Sequence, residues 1–309
     1  MAHERLSQAD EPGHALGPDR ATLYTFSPSH YNLRAVWALD RAGIVPRKVR
    51  MLPMLHVPIM ASAFVWRGIK PRDGDRTSSP FGTPQLVVAS ASAPAKLFSS
   101  GSDIVAFADA GEEHRVFPPR APLSRAEADA EADFVRMCHD ELGVYVRSWM
   151  YTHLAYDVRA WWAAFLPNAG PVSGAIFVLL TPLLMLAMRS VMKVTRQIET
   201  RRKTEAKMRT IFAAVSERLA APGGGGGSVS GGASRLFLFG NAFGPADLDF
   251  AALGAFAAGL GEEAFRGGAK IPPLSFFPPD MRDFMAEMKS TRAGLHIAAM
   301  LRDYRQPRA

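Results

Sequence analysis

Three prolines within five residues, Pro118, Pro119 and Pro122, split the 309-residue chain into parts with different periodicities. Neither a helix nor an inner strand runs through such a cluster, because proline lacks an amide donor and fixes φ. Before it, short apolar runs alternate with helical spacing. Residues 23–26 read as a strand ended by Ser27-Pro28. Tyr31, Ala35, Trp37 to Leu39 and Ala42 then recur at helical steps that stop at Gly43. Residues 57–80 read as a long, charged surface segment, 85–88 and 96–98 as further strands, and 103–108 as the start of a helix. This is a small α/β unit. After the prolines, Ser124-Arg125-Ala126-Glu127 has the form of a capping box, and Phe134, Cys138, Leu142, Tyr145 and Trp149 recur at steps of three or four. The rest of the chain is helical by pattern.

Composition bounds the function. With 48% hydrophobic residues and a mean hydropathy near zero, the chain carries a sizeable core, in one large domain or two small ones. A single cysteine, Cys138, excludes an intrachain disulfide framework and a CxxC redox or zinc site, and suits a reducing, cytoplasmic compartment. Glutaredoxin-like thiol exchange lacks its cysteine. The net charge of +7 is concentrated: residues 189–209 hold eight Lys/Arg and two Glu, leaving the remainder near neutral. A general basic face for nucleic acid is therefore not expected. Residues 1–20 lack an apolar h-region and carry Glu4, Asp10, Glu11 and Asp19, which reads as a disordered tail and not a secretory or transit segment.

Two stretches of the helical part stand apart. Residues 172–188 contain no charge, are interrupted by Pro182, and run into Arg189, Lys193 and Arg196. They read either as an internal helix lining a pocket or, through 172–209, as a membrane attachment on the cytosolic side (172–192 forming the apolar part). Residues 221–234 form a Gly/Ser linker with five consecutive glycines at 223–227. No internal repeat is present.

Five motifs, in order, resemble the glutathione transferase superfamily. Ser29-His30-Tyr31, Arg34 and Trp37-Ala38-Leu39-Asp40-Arg41-Ala42-Gly43 look like the serine-type bacterial and algal group with SHY-x-x-K-x-R-WALD-x-x-G near its start. Thr83-Pro84-Gln85-Leu86 resembles the family's cis-proline turn, and Phe98 to Ile104 its γ-glutamyl segment. Glu141-Leu142-Gly143 to Trp149 and Leu238-Phe239-Gly240 to Leu248 are similar to its helical-domain motifs. The resemblance implies an α/β thioredoxin-like N-terminal domain over 21–112 and an all-α helical domain over 122–305. An insertion at 168–234 would comprise a helix at 172–220 and the glycine linker.

It also implies a chemistry. Glutathione attacks electrophiles as a thiolate, yet a thiol of pKa about 8.5 is mostly protonated at neutral pH. A hydroxyl at a helix N-terminus supplies a donor and a positive field. By resemblance Ser29 is that residue, with Tyr31 and Ser27 as alternatives. Thr83 and Pro84 would hold the cysteinyl part of glutathione, and Ser100, Gly101, Ser102 and Asp103 its γ-glutamyl end. The family's acid-serine pair aligns with Ser100-Gly101, which removes a charge-assisted hydrogen bond worth about 1.5–3 kcal/mol. The implied second partner is a hydrophobic small molecule, the implied assembly a homodimer, and no metal is called for: Cys138-His139-Asp140-Glu141 places consecutive residues on different helix faces. His30 is expected to hydrogen-bond locally, and Trp161-Trp162 to be buried or at an interface. The alternative reading is a non-catalytic adaptor of the same fold attached to a membrane through 172–209.

Overall fold

In the first unit, β1 (Ala21–Phe26) is the inner strand of a four-stranded sheet, with Ala21 and Leu23 fully buried. It pairs in parallel with β2 (Arg47–Met51), Leu23 opposite Lys48, and antiparallel with β3 (Gln85–Val88), Leu23 opposite Leu86. β4 (Lys96–Phe98) pairs antiparallel with β3, giving the order β2-β1-β3-β4. This computed structural model describes residues 20–53, 55–56, 60, 82–89, 95–111, 115–191, 198–221, 235–266 and 268–305. The expected tail, most of 57–80 and the glycine linker lie outside them.

The sequence pattern did not reveal β2. Three of its five residues are basic, which a buried strand would exclude. An edge strand tolerates them, because Arg47, Lys48 and Arg50 reach solvent while Val49 and Met51 pack with Phe26 and Val87.

The crossover between β1 and β2 is α1 (His30–Arg41), capped by Ser29 and ended by Gly43 at φ +66, where the Ile44 amide reaches the Leu39 carbonyl at 2.9 Å. That closure needs a left-handed residue, which glycine supplies without a Cβ clash. α2 (Gly101–Asp109) lies beside α1.

The helical unit opens with α3 (Arg125–Met137), and the expected capping box is present: Ser124 Oγ accepts from the Glu127 amide and Glu127 Oε2 from the Ser124 amide, both at 3.3 Å. A π-helical turn, Cys138–Leu142, joins it to α4 (Gly143–Leu154). Its extra residue shifts the buried stripe from Tyr145 to Val146, which is 0% exposed beside Cys138, Leu142 and Trp149. α5 (Val158–Phe165), α6 (Pro171–Val191) and α7 (Ile198–Ala220) follow, then α8 (Pro245–Gly254), the single turn α9 (Gly261–Ala264), α10 (Pro279–Ser290) and α11 (Arg292–Tyr304).

The conspicuous Trp37-to-Arg41 motif holds the two units together. Trp37 Nε1 and the Arg41 guanidinium both donate to the Tyr304 carbonyl at 2.8 Å, and Arg41 Nε donates to Val116 O at 2.8 Å. Phe243 stacks between Trp37 and Tyr304. The Asp247 motif is likewise structural: its buried carboxylate accepts from the Leu238 and Gly244 amides at 2.9 and 3.0 Å. Gly244 offers no side chain, so half of a capping box forms.

On α6 residues 172–188 divide into a packed face and an exposed one. Phe177, Leu184, Met185 and Met188 are buried, Phe177 stacking on Trp161, while Trp162 Nε1 donates to Thr181 Oγ1 at 2.9 Å. Val172, Ile176, Leu179, Leu183 and Leu186 form an exposed stripe on the outer side.

Candidate active site

The two units enclose a cleft of about 970 Å³. One wall comes from three chain segments that enter helices or a strand: Pro28 to Tyr31 before and within α1, Gly82 to Pro84 before β3, and Ser99 to Ser102 at the start of α2. The other wall comes from α3, the π turn, α4, α5 and Met188 of α6.

Ser29 is the N-cap of α1, buried, its Oγ accepting from the Asn32 amide at 3.4 Å. A hydroxyl has one donor and two acceptor sites, so capping leaves its proton free. Capping α1 therefore does not occupy the hydroxyl proton of Ser29. The Thr83–Pro84 peptide is cis, as the turn motif led us to expect, and Asn32 Nδ2 donates to Thr83 Oγ1 at 3.2 Å. Ser100 caps α2, accepting from the Asp103 amide at 3.0 Å, and Ser102 Oγ accepts from Arg34 at 3.0 Å. A Cβ on Gly101 would meet neighbours no nearer than 3.7 Å, so packing does not require the glycine.

Ser29, Thr83, Pro84, Ser100, Gly101 and Ser102 thus share the cleft, and Tyr31 lines it too. Ser27 and Asp103 do not. Ser27 borders a separate small crevice with Thr25 and Arg305, and Asp103 contributes its amide to the α2 cap. The Tyr31 hydroxyl is committed: it donates to the His139 carbonyl at 3.0 Å, and burial pushes its pKa up to about 12. No group of three or more metal-ligating side chains occurs among the described residues, and burial raises the Cys138 thiol well above its usual range.

Pattern reasoning missed several cleft groups. Arg34, quoted only as part of a motif, is buried and bridges the units by an ion pair with the fully buried Asp249 of α8. Burial nevertheless pushes Asp249 up to about 6 against the pull of Arg34. Arg147, within a quoted motif but given no role, and Tyr151, marked by no sequence signal, also face the cleft, as does Met188 at the end of the run read as a pocket-lining helix.

His30 behaves as a neutral clamp, its Nε2 2.9 Å from the Gly143 carbonyl. Burial lowers its pKa from 6.5 to about 4, with Arg147 adding to the effect. A depressed histidine stabilises the fold above pH 6.5, and that contribution is lost as pH falls toward 4. Between pH 7.5 and 5 the loss is about 2 kcal/mol by linkage. Asp249, raised above its unfolded value, acts in the opposite direction, its ionisation weakening the fold as pH climbs through 4 to 6. Urea unfolding of the native chain beside His30→Gln isolates the histidine: the variant's stability should fall by about 2 kcal/mol less than the native chain's over this range. Parallel curves would show that His30 does not titrate as described.

No protein family's sequence profile matches the chain, and no curated protein matches it. Solved structures do. A glutathione S-transferase of Ceriporiopsis subvermispora, solved in complex with glutathione, is 17% identical with a TM-score of 0.55, covering 92% of this chain and 97% of that one. A glutathione transferase of Phanerochaete chrysosporium is 15% identical with a TM-score of 0.50, covering 94% of this chain and 99% of that one. The chain therefore has the glutathione transferase fold, a thioredoxin-like unit followed by a helical one.

Proposed function

We propose that this chain is a serine-type glutathione transferase acting on a small hydrophobic electrophile. One observation carries the reading: the Ser29 hydroxyl caps α1 with its proton uncommitted, in the cleft shared by cis-Pro84 and the α2 cap. In this reading the backbone at Thr83 pairs with the cysteinyl part of glutathione like an added strand. Ser100 to Ser102 take the γ-glutamyl end. The thiol gives its proton to solvent, and Ser29 Oγ–H together with the α1 amides holds the thiolate as it attacks the electrophilic carbon. Leu154, Phe165, Met188 and Phe256 supply an apolar seat for the second substrate. The test is the ultraviolet thiolate band of glutathione mixed with the protein at neutral pH. A band that grows with protein concentration supports the reading, and its absence at saturating glutathione removes it.

The exposed face of α6 favours a second property, attachment to a membrane surface. Val172, Leu179, Leu183 and Leu186 are 75, 79, 62 and 58% exposed, and with Ile176 they recur at steps of four and three along one helix face. Because the opposite face is buried in the protein, this reading has the helix lying along a bilayer and not crossing it. In a sedimentation assay with anionic lipid vesicles, Leu179→Glu with Leu183→Glu should weaken partition by about tenfold or more, since burying one leucine is worth about 1.5 kcal/mol or more. A native chain that stays in the supernatant rules the attachment out. The same result removes the adaptor alternative.

A further inference from the structure

Resting on the transferase reading, we infer that Arg147 and Tyr151 form a recognition pair for an anionic group, so that the second substrate is an apolar electrophile bearing a carboxylate. The two residues lie four apart on α4, which places them on one helix face, and both line the cleft. Every other arginine of the cleft has an anionic partner: Arg34 pairs with Asp249 and Arg136 with Asp133. His139 Nδ1 is 2.9 Å from Asp140. Arg147 has no carboxylate partner among the described residues, its guanidinium lying 5.6 Å from the Tyr31 ring centre. Tyr151 is 8% exposed, and among the described residues its hydroxyl has no hydrogen-bond partner. The ring is buried while the hydroxyl opens on the cleft, so the phenol is a donor that an oxygen of a bound ligand can reach. Burial pushes this phenol up to about 12, which keeps it a donor at neutral pH.

Position sets Tyr151 away from the peptide site, and Arg147 lies between the two, its guanidinium still near Tyr31. α4 begins against Tyr31, whose hydroxyl comes so near Gly143 that a Cβ there would meet it at 2.6 Å. Tyr151 lies eight residues further along, about 12 Å of helix rise. There it neighbours the apolar end made by Leu154, Phe165 and Met188. A guanidinium fork and a phenol donor at the edge of an apolar seat match a carboxylate attached to a hydrocarbon or aryl body.

The probes are 4-phenylbutanoate and its methyl ester, which are unreactive toward thiols, titrated calorimetrically against the full chain. The native protein should bind the carboxylate about tenfold or more tightly than the ester. Arg147→Met should abolish that preference while leaving ester binding unchanged, Arg147→Lys should keep part of it, and Tyr151→Phe should reduce it several-fold. Equal binding of acid and ester by the native chain overturns the inference. So does an Arg147→Met variant that weakens the glutathione thiolate band while retaining the preference, because Arg147 would then serve the thiol. The thiolate band of the native protein, read in parallel, separates failure of the transferase reading from failure of the anion site.

Discussion

Replacing Arg34 by methionine is expected to destabilise the protein by about 3–5 kcal/mol at pH 8, the usual cost of removing one member of a buried ion pair. Asp249 is fully buried, and the guanidinium of Arg34 is the cation set against it. Even with that cation present, burial pushes the carboxyl up to about 6. Without it, the carboxyl must either remain charged in an apolar interior or take up a proton that the unfolded chain does not bind at neutral pH. The sign of the pH dependence follows. The penalty of a raised acid builds between its unfolded and folded pKa values and is then constant. In the native chain it stops growing near pH 6, whereas without Arg34 the folded pKa is higher and the penalty goes on growing above that pH. The ionic part of the loss should therefore be largest at pH 8 and nearly absent at pH 5, where a smaller loss remains from the missing contact to Ser102. Denaturant unfolding at the two values measures it. Adding Asp249→Asn to Arg34→Met should recover most of the loss at pH 8, because the uncompensated charge is gone. A single variant within about 1 kcal/mol of the native chain at pH 8 would show that the pair does not carry the interface between units.

Much of the fold was readable because its signals are local. The proline cluster, the Ser124 capping box, Gly43 and the turn at Thr83-Pro84 each act through the backbone within a few residues, so a sequence displays them directly. The same holds for Ser29 and Ser100, helix caps that the fold brings into one cleft. What escaped depends on distant packing. β2 is basic because it lies at an edge, which only the completed sheet defines. The π turn after Met137 rotates α4 by one residue, so the buried position is Val146 and not Tyr145. Nothing in the spacing announces that rotation. The partnership of Arg34 with Asp249 joins residues 215 apart and carries no pattern at all. The apolar run on α6 was ambiguous for a different reason: hydropathy sums over a helix, whereas burial divides it into a packed face and a bare one.

Ser29→Ala carries the largest expected effect on activity. If the hydroxyl proton rests on the glutathione sulfur in the ground state, alanine removes a charge-assisted hydrogen bond, worth about 1.5–3 kcal/mol, from the thiolate. That corresponds to a rise of about one to two units in the bound thiol's pKa. At pH 7 the thiolate band should fall by about tenfold or more, and kcat/KM with it. Donors aimed at developing charge typically cost 10² to 10³ in rate when removed, so a loss of that size is consistent with the same bond. The variant also loses the N-cap of α1, because Ser29 Oγ accepts from the Asn32 amide. Cap removal costs about 1 kcal/mol of stability, a second effect that must be separated from the first. Ser29→Asp and Ser29→Asn separate them. Both keep a cap oxygen, but ionised aspartate offers no proton to sulfur, whereas the asparagine amide does. Stability should return in both variants, and the thiolate band should return in part with asparagine alone. A band that survives in Ser29→Ala would move the proton donor elsewhere in the cleft. A band restored by aspartate would mean that the α1 amides, held in place by any cap, stabilise the thiolate without the hydroxyl.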